Sequence, residues 1–342
     1  MMFWWLLLAL FIASYLGTAL LRRYALARSL MDIPNDRSSH SVPVPRGGGL
    51  AIVICFLASL PLLAGGESLN WSLFWALLGA GAAVALLGFL DDHGHIAARW
   101  RLLGHFLAAA WVLFFLGGLP PIALFGGYYD LGWIGYALAA LYMVWLLNLY
   151  NFMDGIDGIA SVEALCVCVG GALLYLLAGH GAQAAVPLLL ATAVAGFLCW
   201  NFPPARIFMG DAGSGFLGVM LAALSLHAGW VAPELFWGWL ILLGVFVVDA
   251  TWTLLRRLFR GEAVYEAHRS HAYQFAARRY GQHLPVTLAV VALNLFWLLP
   301  WALVVGLGKV DALLGGLLAY TPLWWLALQF RAGERETLQD AV

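Results

Sequence analysis

The chain has 342 residues, 63% of them hydrophobic and 10% charged, with a formal net charge of -1, and its mean hydropathy is +0.88. No soluble domain of this size can hide so much apolar surface, so a water-soluble enzyme is excluded and an all-α integral membrane protein is expected. The near-neutral charge, with basic residues dispersed and not interleaved with aromatics, gives no sign of a nucleic-acid partner.

Crossing the ~30 Å hydrocarbon layer takes about 20 apolar residues per helix. Runs of that order predict a polytopic bundle of eleven spans: 2-21, 48-64, 71-90, 102-119, 132-150, 158-178, 184-200, 214-230, 236-255, 284-307 and 312-330. No fixed-period repeat, low-complexity tract or linker rich in Pro, Gly or Ser divides them, so one domain over 1-342 is expected. The first run has no basic residue before it and Arg22-Arg23 after it, the reverse of a cleavable signal, which makes it a span.

Taken in order, the spans place residues 22-46, 91-101, 148-157, 201-211, 256-283 and the tail after Phe330 on one face. That face holds every Lys and Arg of the chain except Lys309, and the positive-inside rule assigns it to the cytoplasm. The N-terminus then lies outside and the C-terminus inside. Cys55, Cys166, Cys168 and Cys199 all fall within spans and lack metal-ligand spacing, so they read as packing thiols.

The same face carries the groups able to do chemistry. The first loop, DIPNDRSSHSVPVPRGGGLAI from Asp32 to Ile52, offers Arg37, His40 and Arg46 as cationic donors, and Gly47-Gly48-Gly49 open the second span with accessible amides. Taken alone, that loop could equally anchor a lipid headgroup. Asp91-Asp92 end the third span, where mutual repulsion and the helix dipole demand a nearby cation: a divalent metal, Arg99 or Arg101. A solvated helix end is the plain alternative.

Asn148, Asn151, Asp154 and Asp157 recur every third residue in NLYNFMDGIDGIA, a spacing that aligns amide and carboxylate oxygens on one helical face. Hard oxygens of this kind suit Mg²⁺, whereas an N-cap for the sixth helix would explain only Asp157. Asn201 begins a proline break, and MGDAGSG at 209-215 opens the eighth span with Asp211 among small residues, where phosphate and its metal could sit. Small residues alone point to close helix packing; Asp211 tips the reading toward a site.

Asp249 lies deep in the ninth span, so it either pairs or faces the cytoplasmic cavity; His105 and Asn294 read as satisfied structural groups. In the longest inside loop, Arg256, Arg257 and Arg260 suit an anionic leaflet, while His268, Arg269 and His271 could grip a diphosphate or a sugar. Acids, amides and arginines gathered at membrane depth on one face suggest metal-assisted chemistry on phosphates, with a lipid phosphate meeting a soluble nucleotide-linked donor. A polytopic transporter or lipid flippase is the alternative, but transporters place ionisable groups near the midplane, which here only Asp249 approaches.

The segments DIPNDRSSH...PRGGG, FLDDHGHI, NLYNFMDGIDG, WNFPPARIFMGDAGS and HRSHAYQ occur in the order found in the polyprenyl-phosphate N-acetylhexosamine-1-phosphate transferases, the bacterial glycosyltransferase family 4 type, which the chain resembles from Asp32 to Gln274. The resemblance implies a Mg²⁺-dependent enzyme, with Mn²⁺ as a substitute. It would transfer sugar 1-phosphate from a UDP-linked N-acetylated sugar to undecaprenyl phosphate and release UMP, at the inner membrane of a bacterium.

By that similarity Asp91 or Asp92 assists the lipid phosphate's attack, and Asp157 belongs with them among the catalytic acids. Asp211, with Asp92, holds the metal. Asn148, Asn151, Asp154 and Asp157 shape the nucleotide site, while Arg37, His40, Arg46, Arg99, Asn201, His268, Arg269 and His271 contact substrate. The resemblance also implies a homodimer.

Three departures stand out: Arg99 replaces a frequent lysine, His105 a glutamine, and Tyr273-Gln274 a histidine pair in the loop that borders the sugar. With the span count, they point to the O-antigen initiating branch and to a 6-deoxy sugar such as N-acetylfucosamine.

Overall fold

Backbone placed in hydrocarbon must satisfy its own polar groups, and each of the eleven apolar runs contains helix. The computed structural model describes residues 2–34, 39–40, 42–94, 96–262 and 268–335. The first helices are α1 (Met2–Ala27), α2 (Leu50–Ser59), α3 (Trp71–Gly94), α4 (Ala98–Leu116), α5 (Gly132–Phe152), α6 (Ile159–Leu177) and α7 (Ala185–Asn201). They are followed by α8 (Asp211–Val231), α9 (Pro233–Leu242), α10 (Gly244–Phe259), α11 (Ala272–Tyr280), α12 (Leu284–Leu293), α13 (Leu299–Gly306) and α14 (Ala312–Gln329). Two short antiparallel hairpins occupy loops: β1 (Met31–Asp32) with β2 (Val44–Pro45), and β3 (Ile122–Leu124) with β4 (Gly127–Tyr129).

The eleven expected spans resolve differently in two places. Among the described residues nine helical segments are long and apolar enough to cross a membrane, counting α12 and α13 with the π turn between them as one, and α9 with α10 makes a tenth only if a pair bent by 71° counts as one span. The second run is helical only over Leu50–Leu62, its last turn being 3-10 at Pro61, which at 1.5 Å per residue is about 20 Å and short of the hydrocarbon thickness.

The ninth breaks at Leu243 and Gly244. A β-carbon on Gly244 would stand 2.8 Å from the Tyr320 ring, so the bend is packed in place, and α10 carries Asp249, Arg256 and Arg257, a face unsuited to hydrocarbon. The long inside loop is not irregular throughout: it contains the end of α10 and all of α11.

α8 lies at the centre, 83% buried over its apolar stretch against 17% for α1, and it packs on α3, α5 and α9. Its run of small residues makes this possible. A β-carbon on Gly218 would stand 2.7 Å from the backbone of Leu147 in α5. Large side chains such as Phe114, Trp133 and Phe296 face outward, as a lipid-solvated surface requires. Because the central helix begins at Asp211, its first residue is delivered to the middle of the polar face rather than to its rim.

Candidate active site

Backbone contacts, rather than side chains, first draw the distant segments together. Phe208 N–H donates to Pro45 O at 2.8 Å, Gly48 N–H to Phe208 O at 2.9 Å and Gly49 N–H to Met209 O at 2.9 Å. The first loop is thus stitched to the strand of chain before α8. Two of the three glycine amides expected to receive an anion are therefore already bonded, which corrects that reading: Gly48 and Gly49 serve close approach. A β-carbon on Gly49 would lie 2.6 Å from Gly213 Cα, and one on Gly88 2.6 Å from Ala212 N.

Two cavities result. The first, about 390 Å³, is lined by polar groups including His40, Arg46, Asp92, Asn151, Asp154, Asp157, Asn201 and Asp211. The second, about 370 Å³, has Asp91, Arg99, Arg101, His105 and Asn148 above an apolar wall of Val84, Leu87, Leu102 and Leu147. Asn151 and Asp211 line both. A polar chamber and a half-apolar one meet at a carboxylate and an amide.

The residues singled out in the sequence are placed unevenly around this junction. Asp91 faces the second cavity, its Oδ1 accepting Ile96 N–H at 2.7 Å and its Oδ2 held by Arg101. Asp92 faces the first, with Arg46 Nη1 at 3.9 Å from Oδ1 and Ala212 N–H at 3.5 Å from Oδ2. Asn151 Oδ1 accepts from Ser214 Oγ at 2.6 Å, which ties α5 to α8. Asn148 Nδ2 donates to Val144 O at 2.7 Å and lies 3.3 Å from His105 Nδ1.

α5 ends at Phe152, so the three-residue spacing follows a helical face only through Asn151; Asp154 and Asp157 stand on the turn beyond it. Asp157 does not cap α6, whose N-cap is Gly158. Its Oδ2 accepts Ala205 N–H at 2.9 Å instead. Asn201 is buried and committed to the fold on both ends of its amide, with Ser161 Oγ at 3.1 Å and Ile207 O at 3.1 Å.

His268, Arg269 and His271 line neither cavity. His271 is buried with Nδ1 3.3 Å from Asp249, and His268 stacks on its ring at 4.8 Å. Burial pushes His268 down to about 3, with His271 and Arg257 adding to the shift, which keeps it neutral. Arg37 lies outside the described residues.

Burial raises Asp154 well above the usual carboxylate range, and the charges of Asp211, Asp157 and Asp92 raise it further. This excess of negative charge is the environment a hard divalent cation relieves. Among the described residues no three acidic, histidine or cysteine side chains form a ready-made ligand cluster. The donor set fits Mg²⁺ in its usual mode, one or two carboxylates with the remaining positions filled by water and substrate phosphate; Asp211 and Asp92, both lining the first cavity, would be the carboxylates to hold it. Arg101, 4.0 Å from Asp211 and bonded to Asp91, and Arg46, 3.9 Å from Asp92, supply the cationic charge that the aspartate pair requires; Arg99 instead lies 5.7 Å over the Trp100 ring.

The spacing of the motifs left the role of Asp249 open and missed two cavity groups, Gln274 and His283. Asp249, in α10, accepts the first amides of α11, which settles its role as a paired acid. Gln274 lines the first cavity. His283, just before α12, bridges Asp157 Oδ1 at 3.1 Å and Ser39 O at 2.9 Å. Burial acts to lower the His283 pKa, but the hydrogen bond and charge of Asp157 and the Ser39 carbonyl raise it above its ordinary 6.5.

A group with a raised folded-state value lends its full stability below the unfolded value. Thermal unfolding in detergent should therefore show the unfolding temperature falling as pH climbs above 6.5 through the raised value. His283→Gln should flatten that slope and cost about 1–3 kcal/mol at low pH; an unchanged slope would show the bridge to be idle.

Residues 74–229, from α3 through α8, match the model of Glycosyl transferase family 4. A probable undecaprenyl-phosphate N-acetylglucosaminyl 1-phosphate transferase of Bacillus subtilis is 31% identical over 262 residues, covering 75% of this chain and 72% of that protein. A decaprenyl-phosphate N-acetylglucosaminephosphotransferase of Mycobacterium tuberculosis is 30% identical over 318 residues, 82% of this chain and 76% of that one. A phospho-N-acetylmuramoyl-pentapeptide-transferase of Kosmotoga olearia is 32% identical over 249 residues, 69% and 76% respectively.

The chain belongs to the polyprenyl-phosphate N-acetylhexosamine-1-phosphate transferases of glycosyl transferase family 4. It is a membrane-embedded sugar-phosphate transferase acting on polyprenyl phosphate.

Proposed function

We propose that the enzyme transfers an N-acetylated sugar 1-phosphate from a UDP-sugar to undecaprenyl phosphate, giving undecaprenyl-diphosphate-sugar and UMP. This would be the first membrane step of O-antigen and lipopolysaccharide synthesis, on the cytoplasmic side of a bacterial inner membrane. The observation that carries the reading is the pair of cavities sharing Asp211 and Asn151, the first gathering the carboxylates of Asp92, Asp154 and Asp157 beside Arg46 and His40, the second walled mainly by apolar side chains. A soluble nucleotide-sugar suits the first. The phosphate end of an isoprenoid, which cannot leave the bilayer, suits the second.

In this arrangement Arg99 and Arg101 receive the lipid phosphate, and Asp91 holds Arg101 in place. Arg46 neutralises donor phosphate on the far side of Asp92. An oxygen of the lipid phosphate bonds to the sugar-bearing phosphorus of the donor, and the bond from that phosphorus to the bridging oxygen breaks, so UMP leaves with the electron pair. Asp92 accepts whatever proton the attacking phosphate still carries. Mg²⁺, or Mn²⁺ in its place, would supply charge neutralisation across the diphosphate when held by Asp211 and Asp92. Otherwise the protein acts by positioning.

For the sugar we favour UDP-N-acetylfucosamine over UDP-N-acetylglucosamine, since Tyr273-Gln274 replaces a histidine pair common in the family. Purified protein, undecaprenyl phosphate and Mg²⁺ should release UMP faster from UDP-N-acetylfucosamine when the two donors are compared side by side. A clear preference for UDP-N-acetylglucosamine rejects the sugar assignment. No UMP from either rejects the reading as a whole.

A further inference from the structure

The start of α11 is unusually well secured. Asp249 Oδ1 accepts Ala272 N–H at 2.9 Å, and its Oδ2 accepts Tyr273 N–H at 3.0 Å. Thr253 Oγ1 lies 3.2 Å from the same carboxylate. The preceding amide, His271 N–H, is taken at 3.2 Å by the side-chain oxygen of Gln274. Three consecutive backbone donors are thus satisfied by two buried side chains.

This capping decides which way the Gln274 amide points. A backbone N–H can only donate, so the atom that faces His271 must be Oε1, and Nε2 with its two hydrogens must face the other way. That other side is the first cavity, which Gln274 lines beside Asp154, Gly155 and Asp157 while being only 5% exposed. A β-carbon on Gly155 would stand 2.1 Å from the Tyr273 hydroxyl and 3.3 Å from Nε2, so the missing side chain there makes room for Tyr273 and leaves Nε2 beside bare backbone at the cavity wall. No acceptor among the described residues is bonded to Nε2. The cavity therefore contains a buried, neutral donor whose rotamer is fixed by the fold and for which the described residues offer no acceptor.

We infer that Gln274 is a recognition residue for the nucleotide-sugar, its Nε2 donating to a carbonyl oxygen of that substrate. The inference rests on the functional reading above. A neutral amide is matched to a neutral carbonyl, whereas the phosphates are served by cations such as Arg46. Two carbonyl sources are available on the donor, the acetamido group of the sugar and the nucleobase, and they can be told apart.

The informative variant is Gln274→Glu, which keeps an oxygen for His271 N–H and exchanges the donor for an acceptor. Steady-state transfer is measured with undecaprenyl phosphate and whichever UDP-sugar the wild type uses. KM for the UDP-sugar should rise roughly tenfold to a hundredfold with little change in kcat or in KM for the lipid. Inhibition by UMP then assigns the carbonyl: an unchanged inhibition constant points to the acetamido oxygen, and one raised by the same factor points to the base.

Gln274→Ala, read the same way, removes the amide without adding charge and substitutes if the Glu variant does not fold. An unaltered KM for the UDP-sugar in a folded variant overturns the inference. A wild-type protein that turns over no UDP-sugar overturns instead the functional reading beneath it.

Discussion

Asp211→Asn is expected to lower the rate of UMP release on the order of a thousandfold at saturating Mg²⁺ while leaving the unfolding temperature unchanged or slightly raised. The expectation follows from position. Asp211 is the first residue of the central helix, lines both cavities, and has Arg101 4.0 Å from its carboxylate. Replacing it by an amide of the same shape removes one negative charge from a crowded group of carboxylates, which the fold tolerates, and removes the oxygen charge that a divalent cation needs, which the chemistry does not.

Asp311→Asn is the matched control. Asp311 caps α14, with Leu313 and Leu314 N–H at 3.0 and 3.2 Å from Oδ1, and lines neither cavity. Asn caps as well as Asp, so the variant loses chiefly the Oδ2 acceptor for Phe125 N–H, which should cost stability on the order of 1 kcal/mol and no transfer activity. Equal rates for Asp211→Asn and wild type would remove Asp211 from the reaction.

Gly88→Ala should be nearly as damaging although it touches no substrate. The added carbon would lie 2.6 Å from Ala212 N and from Asp211 C, and 2.7 Å from Ala212 Cα, so the obstacle is backbone that no rotamer change can relieve. α3 and α8 must separate, and the carboxylates of Asp92 and Asp211 separate with them. Overpacking of this kind costs about 1–3 kcal/mol, and a displacement of ångström size at reacting groups costs roughly a hundredfold in rate. Gly94→Ala, at a glycine where no described residue beyond its own turn of helix comes within 4 Å of the new carbon, should be silent in both assays. A Gly88→Ala enzyme with wild-type kinetics would show that the Asp92–Asp211 spacing is not set by this contact.

Both predictions concern features with different legibility. Asp211 stands out in the sequence because an acid among Gly, Ala and Ser at the mouth of an apolar run has no packing rationale. Gly88 does not, since one glycine in a membrane helix looks like any other until its neighbour is known. The same contrast runs through the site. Asp91, Asp92, Asn151, Asp154 and Asp157 announce themselves as polar groups at span ends, where burial makes unneeded charge costly. His283 and Gln274 lie in a loop rich in polar residues, and only their partners, Asp157 and His271, distinguish them from solvated surface. His271 shows the converse error: its place in HRSHAYQ suggests a hand on substrate, but it is buried against Asp249.

The sequence by itself determined that this is a helical membrane protein with its chemistry collected on one face. Hydrophobic length and charge asymmetry are local properties, and the bilayer imposes them on any chain that crosses it. Tertiary structure alone decided that the second and ninth runs are not simple spans, that the amides of Gly48 and Gly49 are spent on backbone bonds, and which polar groups line a cavity. Those outcomes depend on which helix lies against which. The contacts responsible, Gly88 on Ala212, Gly48 on Phe208 and His283 on Asp157, join residues too far apart in the chain for any periodicity to record.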